Sequence, residues 1–183
     1  MSNKLHSKNN LNLGPYTGAE FNKLNLGPFY KITNKNELHN GFQYVDGLNI
    51  DTIPFCTAEC AAGGLYFANK ANIFHFFNFG MNIRTVQIPD DAQVSIEDYK
   101  FKSSKIILLN KSLISDSDLW NDSEFCNLAI KHNGMLLEFV KVSNKNQSLY
   151  EIALRQSGWA LQFVEVADKN QSLYEIALRQ ICF

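Results

Sequence analysis

The segment PFCTAECAAGGLYFANKANIFHFF, residues 54–76, collects side chains that readily do chemistry. Cys56 and Cys60 stand four apart, His75 follows, and His39 lies upstream. Four soft donors of this kind can hold a tetrahedral zinc ion. The spacing is not that of a compact finger, because the histidine comes 14 residues after C-x3-C and no second cysteine pair exists. No metal is therefore expected. Nucleophilic catalysis by either thiol needs a neighbouring base, and linear spacing does not bring His39 there. Gly63-Gly64 lacks the lysine and hydroxyl of a phosphate loop, so it reads first as a bend leading into a strand.

The elements that must position these residues fall into two kinds. FYKIT (29–33), FQYV (42–45), GLYFA (64–68), IRTVQI (83–88), AQVSI (92–96) and KIILL (105–109) are short, β-branched or aromatic, and separated by turn residues. One short helix carrying Ile73, Phe76 and Phe77, capped by Asn69 and stopped at Gly80, fits between them. The C-terminal third instead repeats itself. QSLYEIALRQ occupies residues 147–156 and again 171–180, an offset of 24 that also aligns Gly134 with Gly158 and Phe139-Val140 with Phe163-Val164. Two full units and a truncated third, near 123–146, 147–170 and 171–183, argue for a stacked array. Each unit reads as two short helices. Ser148-x-x-Glu151 and Ser172-x-x-Glu175 form capping boxes, and Gly158 suits a left-handed helix end.

Composition narrows the function. The chain has 183 residues and a net charge of −1, with 11 basic and 11 acidic side chains up to residue 118 and 6 and 7 beyond it. No basic face supports nucleic-acid binding. MSNKLHSKNN has no signal-peptide core, and no apolar run is long enough to span a bilayer, so no membrane is expected and the location reads as cytoplasmic. With no export signal, the cysteines are expected as reduced thiols.

Two resemblances add to this. FYKIT, then GLNI (47–50), then GGLYFA (63–68), resembles the order of elements in the ADP-ribosyltransferase superfamily, whose first strand bears a catalytic His or Arg and whose G-[IL]-YF-[AS] strand lines the nicotinamide pocket. That likeness implies NAD as cofactor, Tyr66 as the stacking tyrosine, and Lys31, Thr33 and Glu97 as companions. Lys31 stands where the superfamily has His or Arg. More extensively, FYKITNKNELHNGFQYVDGLNIDTIPF, the cysteine-bearing turn, GGLYFANKANIFHF, IRTVQIP and FKSSKIIL, in that order, resemble the N-terminal domain of mimivirus-type giant-virus repeat proteins. There the domain commonly precedes ankyrin repeats. Here the repeats are written around LAIKHNGMLLEFV and IALRQSGWALQFV, similar to a different viral helical repeat.

The expected fold is α+β: a small mixed α/β N-terminal domain followed by a short all-α helical repeat array. The expected division is a flexible arm at 1–28, the α+β domain at 29–118 and the repeats at 119–183, with a hinge near 115–123. The expected function is a non-enzymatic protein–protein interaction module in host–virus interaction, with no cofactor and with a host or viral protein as partner. Trp159, Gln162, Glu165, Met135, Glu138 and Lys141 form its binding surface, and a further reading is self-association through the repeat end. The alternative is an ADP-ribosyltransferase-like enzyme, or an inactive nucleotide-binding relative.

Overall fold

The computed structural model describes residues 14–181. Ten strands precede most of the helix: β1 (Tyr16–Thr17), β2 (Phe29–Thr33), β3 (Leu38–His39), β4 (Phe42–Gln43), β5 (Gly47–Ile50), β6 (Leu65–Asn69), β7 (Asn82–Gln87), β8 (Gln93–Ile96), β9 (Phe101–Ser103) and β10 (Lys105–Leu113). A one-turn helix α1 (Gly18–Asn22) follows β1, and α2 (Ser123–His132), α3 (Gln147–Gln156) and α4 (Gln171–Ile181) complete the chain. No helix among the described residues is long and apolar enough to cross a membrane.

Eight strands form one antiparallel sheet in the order β1-β8-β9-β6-β2-β7-β10-β5, and β3-β4 make a separate hairpin. Alternation along the strands gives the sheet two apolar faces. Phe29 on β2, Leu65 and Phe67 on β6, Val86 on β7 and Phe101 on β9 join Phe21 of α1 in one cluster. The Phe21 ring lies 5.3 Å from Phe29 and 5.3 Å from Phe101. Ile32, Ala68 and Ile83 belong to the other cluster, under Ile73 and Phe74. Residues 14–28 of the expected arm are built into the fold: Tyr16 and Thr17 pair with Val94 and Gln93, and Phe21 is fully buried. Thr17 caps α1, its hydroxyl accepting from the Glu20 N–H at 3.2 Å while Glu20 accepts from the Thr17 N–H at 2.8 Å. Residues 1–13 of that arm, and Cys182, lie outside the described residues.

Helices α2, α3 and α4 begin 24 residues apart, at 123, 147 and 171. Each is capped one residue earlier by a side-chain oxygen: Asp122 accepts from Phe125 N–H at 2.9 Å, Asn146 from Leu149 at 3.0 Å and Asn170 from Leu173 at 3.1 Å. The caps are therefore these residues and not Ser148 and Ser172. The second helix of a unit is a 3-10 segment, Gly134–Phe139 or Gly158–Phe163, as is Ile73–Phe79 within the sheet region. Gly158 does not end α3 in a left-handed turn: the helix stops at Ser157 in extended backbone, φ −155°. Its counterpart Gly134 serves close approach, since a Cβ there would lie 2.2 Å from the Ala153 carbonyl oxygen of the next unit.

The expectation of a small mixed α/β domain followed by a separate all-α array is corrected by this arrangement. About 40% of the described residues are helical and 25% strand, but among the described residues before 114 the only helical segments are α1 and Ile73–Phe79, so the region is a large antiparallel sheet rather than a mixed α/β layer. Nor is the helical part an array apart. One buried cluster runs from Ile32 and Ile83 of the sheet through Trp120 and Phe125 to Leu173 and Ala177. Trp120 is fully buried at the junction, donates from Nε1 to the Ile114 carbonyl at 2.7 Å, and packs on Phe77, Phe125 and Phe139. The segment read as a hinge is a packed joint.

Candidate functional site

The sheet has a seam. β2 and β6 pair at only two positions, Phe29 with Asn69 and Tyr30 with Ala68, whereas β2 pairs with β7 at five. Beyond Tyr30 the two strands part, which leaves backbone groups that a continuous ladder would have satisfied. Lys31 reaches across the gap and donates from Nζ to the Tyr66 carbonyl at 2.8 Å. Its ammonium also sits 4.3 Å from the centre of the Tyr44 ring. Lys31 is only 5% exposed, and burial, eased slightly by the Glu37 carboxylate, holds its pKa down to about 7.

Two cavities lie along this seam, of about 260 and 330 Å³. Both are lined by Lys31, His39, Asn40, Cys60 and Tyr66. The first is walled by Ile73, Phe76 and Phe79, the second by Tyr44, Asp51 and Gly63-Gly64. Gly63 and Gly64 make the bend that their pairing suggested. Gly63 has φ +91°, and a Cβ would lie 2.1 Å from the Pro54 carbonyl oxygen; Gly64, at φ +133°, would meet Lys102 at 2.4 Å. Gly64 N–H donates to Asp51 at 2.6 Å, which ties the bend to the end of β5. Burial, then the nearby Lys31 charge, lowers the pKa of His39.

Behind Tyr66 lies a charged cluster from the β8–β9 turn. Lys100 Nζ stands 4.2 Å from the Tyr66 ring centre and Lys102 Nζ 5.3 Å. Glu97 is ion-paired with both, at 3.3 Å to Lys100 and 3.7 Å to Lys102, but neither of its buried carboxylate oxygens receives a hydrogen bond of good geometry. Burial first, and the Glu97 carboxylate second, push the Tyr66 phenol up. Glu59, Cys60 and Glu97 lie within 4.8 Å of one another, the one grouping among the described residues with metal-ligating atoms so placed. Lys100 already supplies that cluster's cation, donating to Cys60 Sγ at 3.3 Å.

The structure thus brings Lys31 and Tyr66 to one cleft, with Glu97 behind Tyr66 and not on the cleft wall. Thr33 goes elsewhere. It is fully buried and donates to Glu37 at 3.0 Å, in a network where Arg84 pairs with Glu37 and Asp46. His75 is not gathered with His39 and the cysteines, because its ring packs 4.3 Å from that of His132. On the repeats, Trp159 is 66% exposed and not packed between units. Its counterpart Met135 is half-buried and accepts a hydrogen bond from the Ser157 hydroxyl at 3.6 Å. Glu138, Lys141 and Gln162 are exposed, whereas Glu165 is engaged between units by Lys145 at 2.8 Å. His39, Asn40, Lys100 and Phe79 of the cleft wall were missed as a group. Only contacts distant in sequence assemble them.

The sequence is 33% identical over 141 residues to protein R896 of Acanthamoeba polyphaga mimivirus, which has "ankyrin repeat" in its name; the match covers 66% of this chain and 42% of R896. Protein R869 of the same virus, named as uncharacterized, is 36% identical over 117 residues, or 60% of this chain and 85% of R869. Protein R868, again with "ankyrin repeat" in its name, is 32% identical over 137 residues, 65% of this chain and 67% of R868. The chain spans under half the length of R896 and of two further ankyrin-named relatives. No protein-family model matches it. No solved structure matches it either.

Proposed function

The chain belongs to the mimivirus protein family that includes R869 and R868, and from that premise we propose that it is a non-enzymatic protein-interaction module acting in the cytoplasm of the infected cell. The repeats bind a host or viral protein, and the sheet holds them in place. On this reading the boundaries near residues 28 and 118 divide roles and not folding units. One observation carries the proposal: at an offset of 24, inward positions keep their class in all three units, while a group of outward ones changes between the first unit and the second. Phe125, Leu149 and Leu173 are buried, as are Ala129, Ala153 and Ala177, and Val140 and Val164. Outward, Met135 becomes Trp159, Glu138 becomes Gln162 and Lys141 becomes Glu165. A stacked array separates its core from its surface in this way, so the surface is free to be specific. Val142 and Val166, 67% and 84% exposed, add apolar contact area beside it.

The test is affinity capture from infected-cell lysate by the full chain, compared with a Trp159→Ser, Gln162→Ala double variant of unchanged circular dichroism. A protein retained by the native chain and lost from the variant supports the reading. Identical capture by both removes these residues from the binding surface.

A second reading, nucleotide binding at the seam, rests on Lys31 and Tyr66 lining one cleft beside Gly63-Gly64. Because Glu97 is not on its wall, this reading takes the form of an inactive relative that binds NAD. Calorimetric titration with NAD, with Tyr66→Ala as control, tests it. No heat from the native chain ends it.

A further inference from the structure

We propose that Cys60 and Lys100 are the two halves of an oxidation-dependent covalent link that ties the 54–64 loop to the β8–β9 turn along the wall of the seam cleft. Three features converge on this pair. Cys60 is exposed, so an oxidant in solvent reaches its sulfur. Lys100 Nζ already lies 3.3 Å from Sγ, and it is held there by stacking on the Tyr66 ring at 4.2 Å. Glu97, whose side chain is 4% exposed, places a carboxylate oxygen 3.3 Å from the same Nζ and receives no well-formed hydrogen bond. Burial works against the Lys100 ammonium, but its hydrogen bond to Cys60 and the charge of Glu97 outweigh this and leave its pKa raised. The amine therefore needs a proton acceptor before it can react, and Glu97 is in place to be one.

The chemistry balances with a peroxide as oxidant. Cys60 attacks one peroxide oxygen; the O–O bond breaks, sulfur loses two electrons, and Cys60 sulfenic acid and water result. Lys100 passes one proton to Glu97, and its nitrogen lone pair then attacks the sulfur. An S–N bond forms and the S–O bond breaks. The departing hydroxide takes a proton from nitrogen and leaves as a second water. The product is a sulfenamide joining the two side chains, shorter by two hydrogens than the reduced pair. A thiol reverses it by attack at sulfur.

Both residues line the cavity that Tyr66 lines, so the bond fixes one wall of the cleft over the Tyr66 ring. A site of this kind makes access to the cavity depend on oxidant. The inference stands whether or not the cleft takes a nucleotide, because it rests on the contact and not on the ligand.

The experiment is peptide mapping of the full chain after treatment with dilute hydrogen peroxide, followed by alkylation and trypsin. The expected product joins the peptide containing Cys60 to the one containing Lys100, which runs on to Lys102 because trypsin does not cut after the linked Lys100, and it disappears on treatment with dithiothreitol. Cys56→Ser should retain it. Lys100→Arg, which keeps the charge over Tyr66, should lose it and leave Cys60 sulfenic acid open to trapping by dimedone. Recovery of Cys60 only as a disulfide with Cys56, or only as unlinked sulfenic and sulfinic acids in the native chain, overturns the proposal.

Discussion

Replacing Lys31 by methionine removes a charge from the seam while keeping the length of the side chain, and the effect can be worked out in sign and size. Burial holds the folded-state pKa of Lys31 to about 7, against 10.5 in the open. At pH values well under 7 the folded and unfolded chains both carry the proton, and the folded chain bears the full cost of the buried charge. As pH rises through 7 the folded chain releases the proton first. The unfolded chain then binds more protons than the folded one, so stability climbs until both are neutral beyond 10.5. One pH unit of displacement is worth about 1.4 kcal/mol, which puts the low-pH cost at roughly 5 kcal/mol. Between about pH 7 and about pH 9 the native chain should gain about 2 kcal/mol from this group. Urea unfolding followed by tryptophan fluorescence across that range measures it. Lys31→Met should lack this part of the slope and be more stable near neutrality, less about 1 kcal/mol for the lost hydrogen bond to the Tyr66 carbonyl. All other titrating groups are common to both chains. Equal slopes would refute the reasoning.

Three further perturbations have defined outcomes. Gly63→Ala forces a side chain into left-handed backbone at φ +91° and against the Pro54 carbonyl; it should lower stability by about 2 kcal/mol, read as a fall in urea midpoint. Asn146→Ala leaves the Leu149 N–H without its cap and should cost about 1 kcal/mol, with Ser148→Ala nearly neutral as the matched control. Burial, and then His132, hold the His75 pKa under 6.5. The folded chain is therefore slower to take up that proton, and stability should fall as pH drops through 6.5; His75→Phe should flatten the fall in an acid titration followed by circular dichroism.

Local features were the legible ones. The verbatim decapeptide located the starts of α3 and α4, because helix caps and apolar spacing are written within a few residues. Even so, Ser148-x-x-Glu151 drew attention from Asn146, which stands before both copies as Asn170 does and makes the actual cap. β5 was hidden in GLNI, whose Asn49 side chain bonds the backbone of Val45 and Gly47 and makes a strand read as a turn. β9 was hidden because FKS is polar, yet Lys102 and Ser103 are fully buried. The seam could not be read at all. It depends on how far β2 and β6 overlap, a register set by partners 35 and more residues apart, and in FYKIT alone Lys31 looks like an ordinary exposed residue of an alternating strand.

The buried joint at Trp120 also bears on how such a gene can change. The first unit is welded to the sheet through Trp120 and Phe125, but α4 packs chiefly on α3 and the Gly158–Phe163 segment. Tyr150 and Leu154, almost fully covered, become Tyr174 at 42% and Leu178 at 59% exposed one unit on, so the last described unit offers the surface on which its predecessor received it. Copying in frame the stretch of DNA that encodes 24 residues would then add a unit that packs as α4 packs on α3, while copying any part of the sheet would break its register. The second QSLYEIALRQ has the form such a copy would take, and among the described residues it marks a region where length can change with the sheet left as it is.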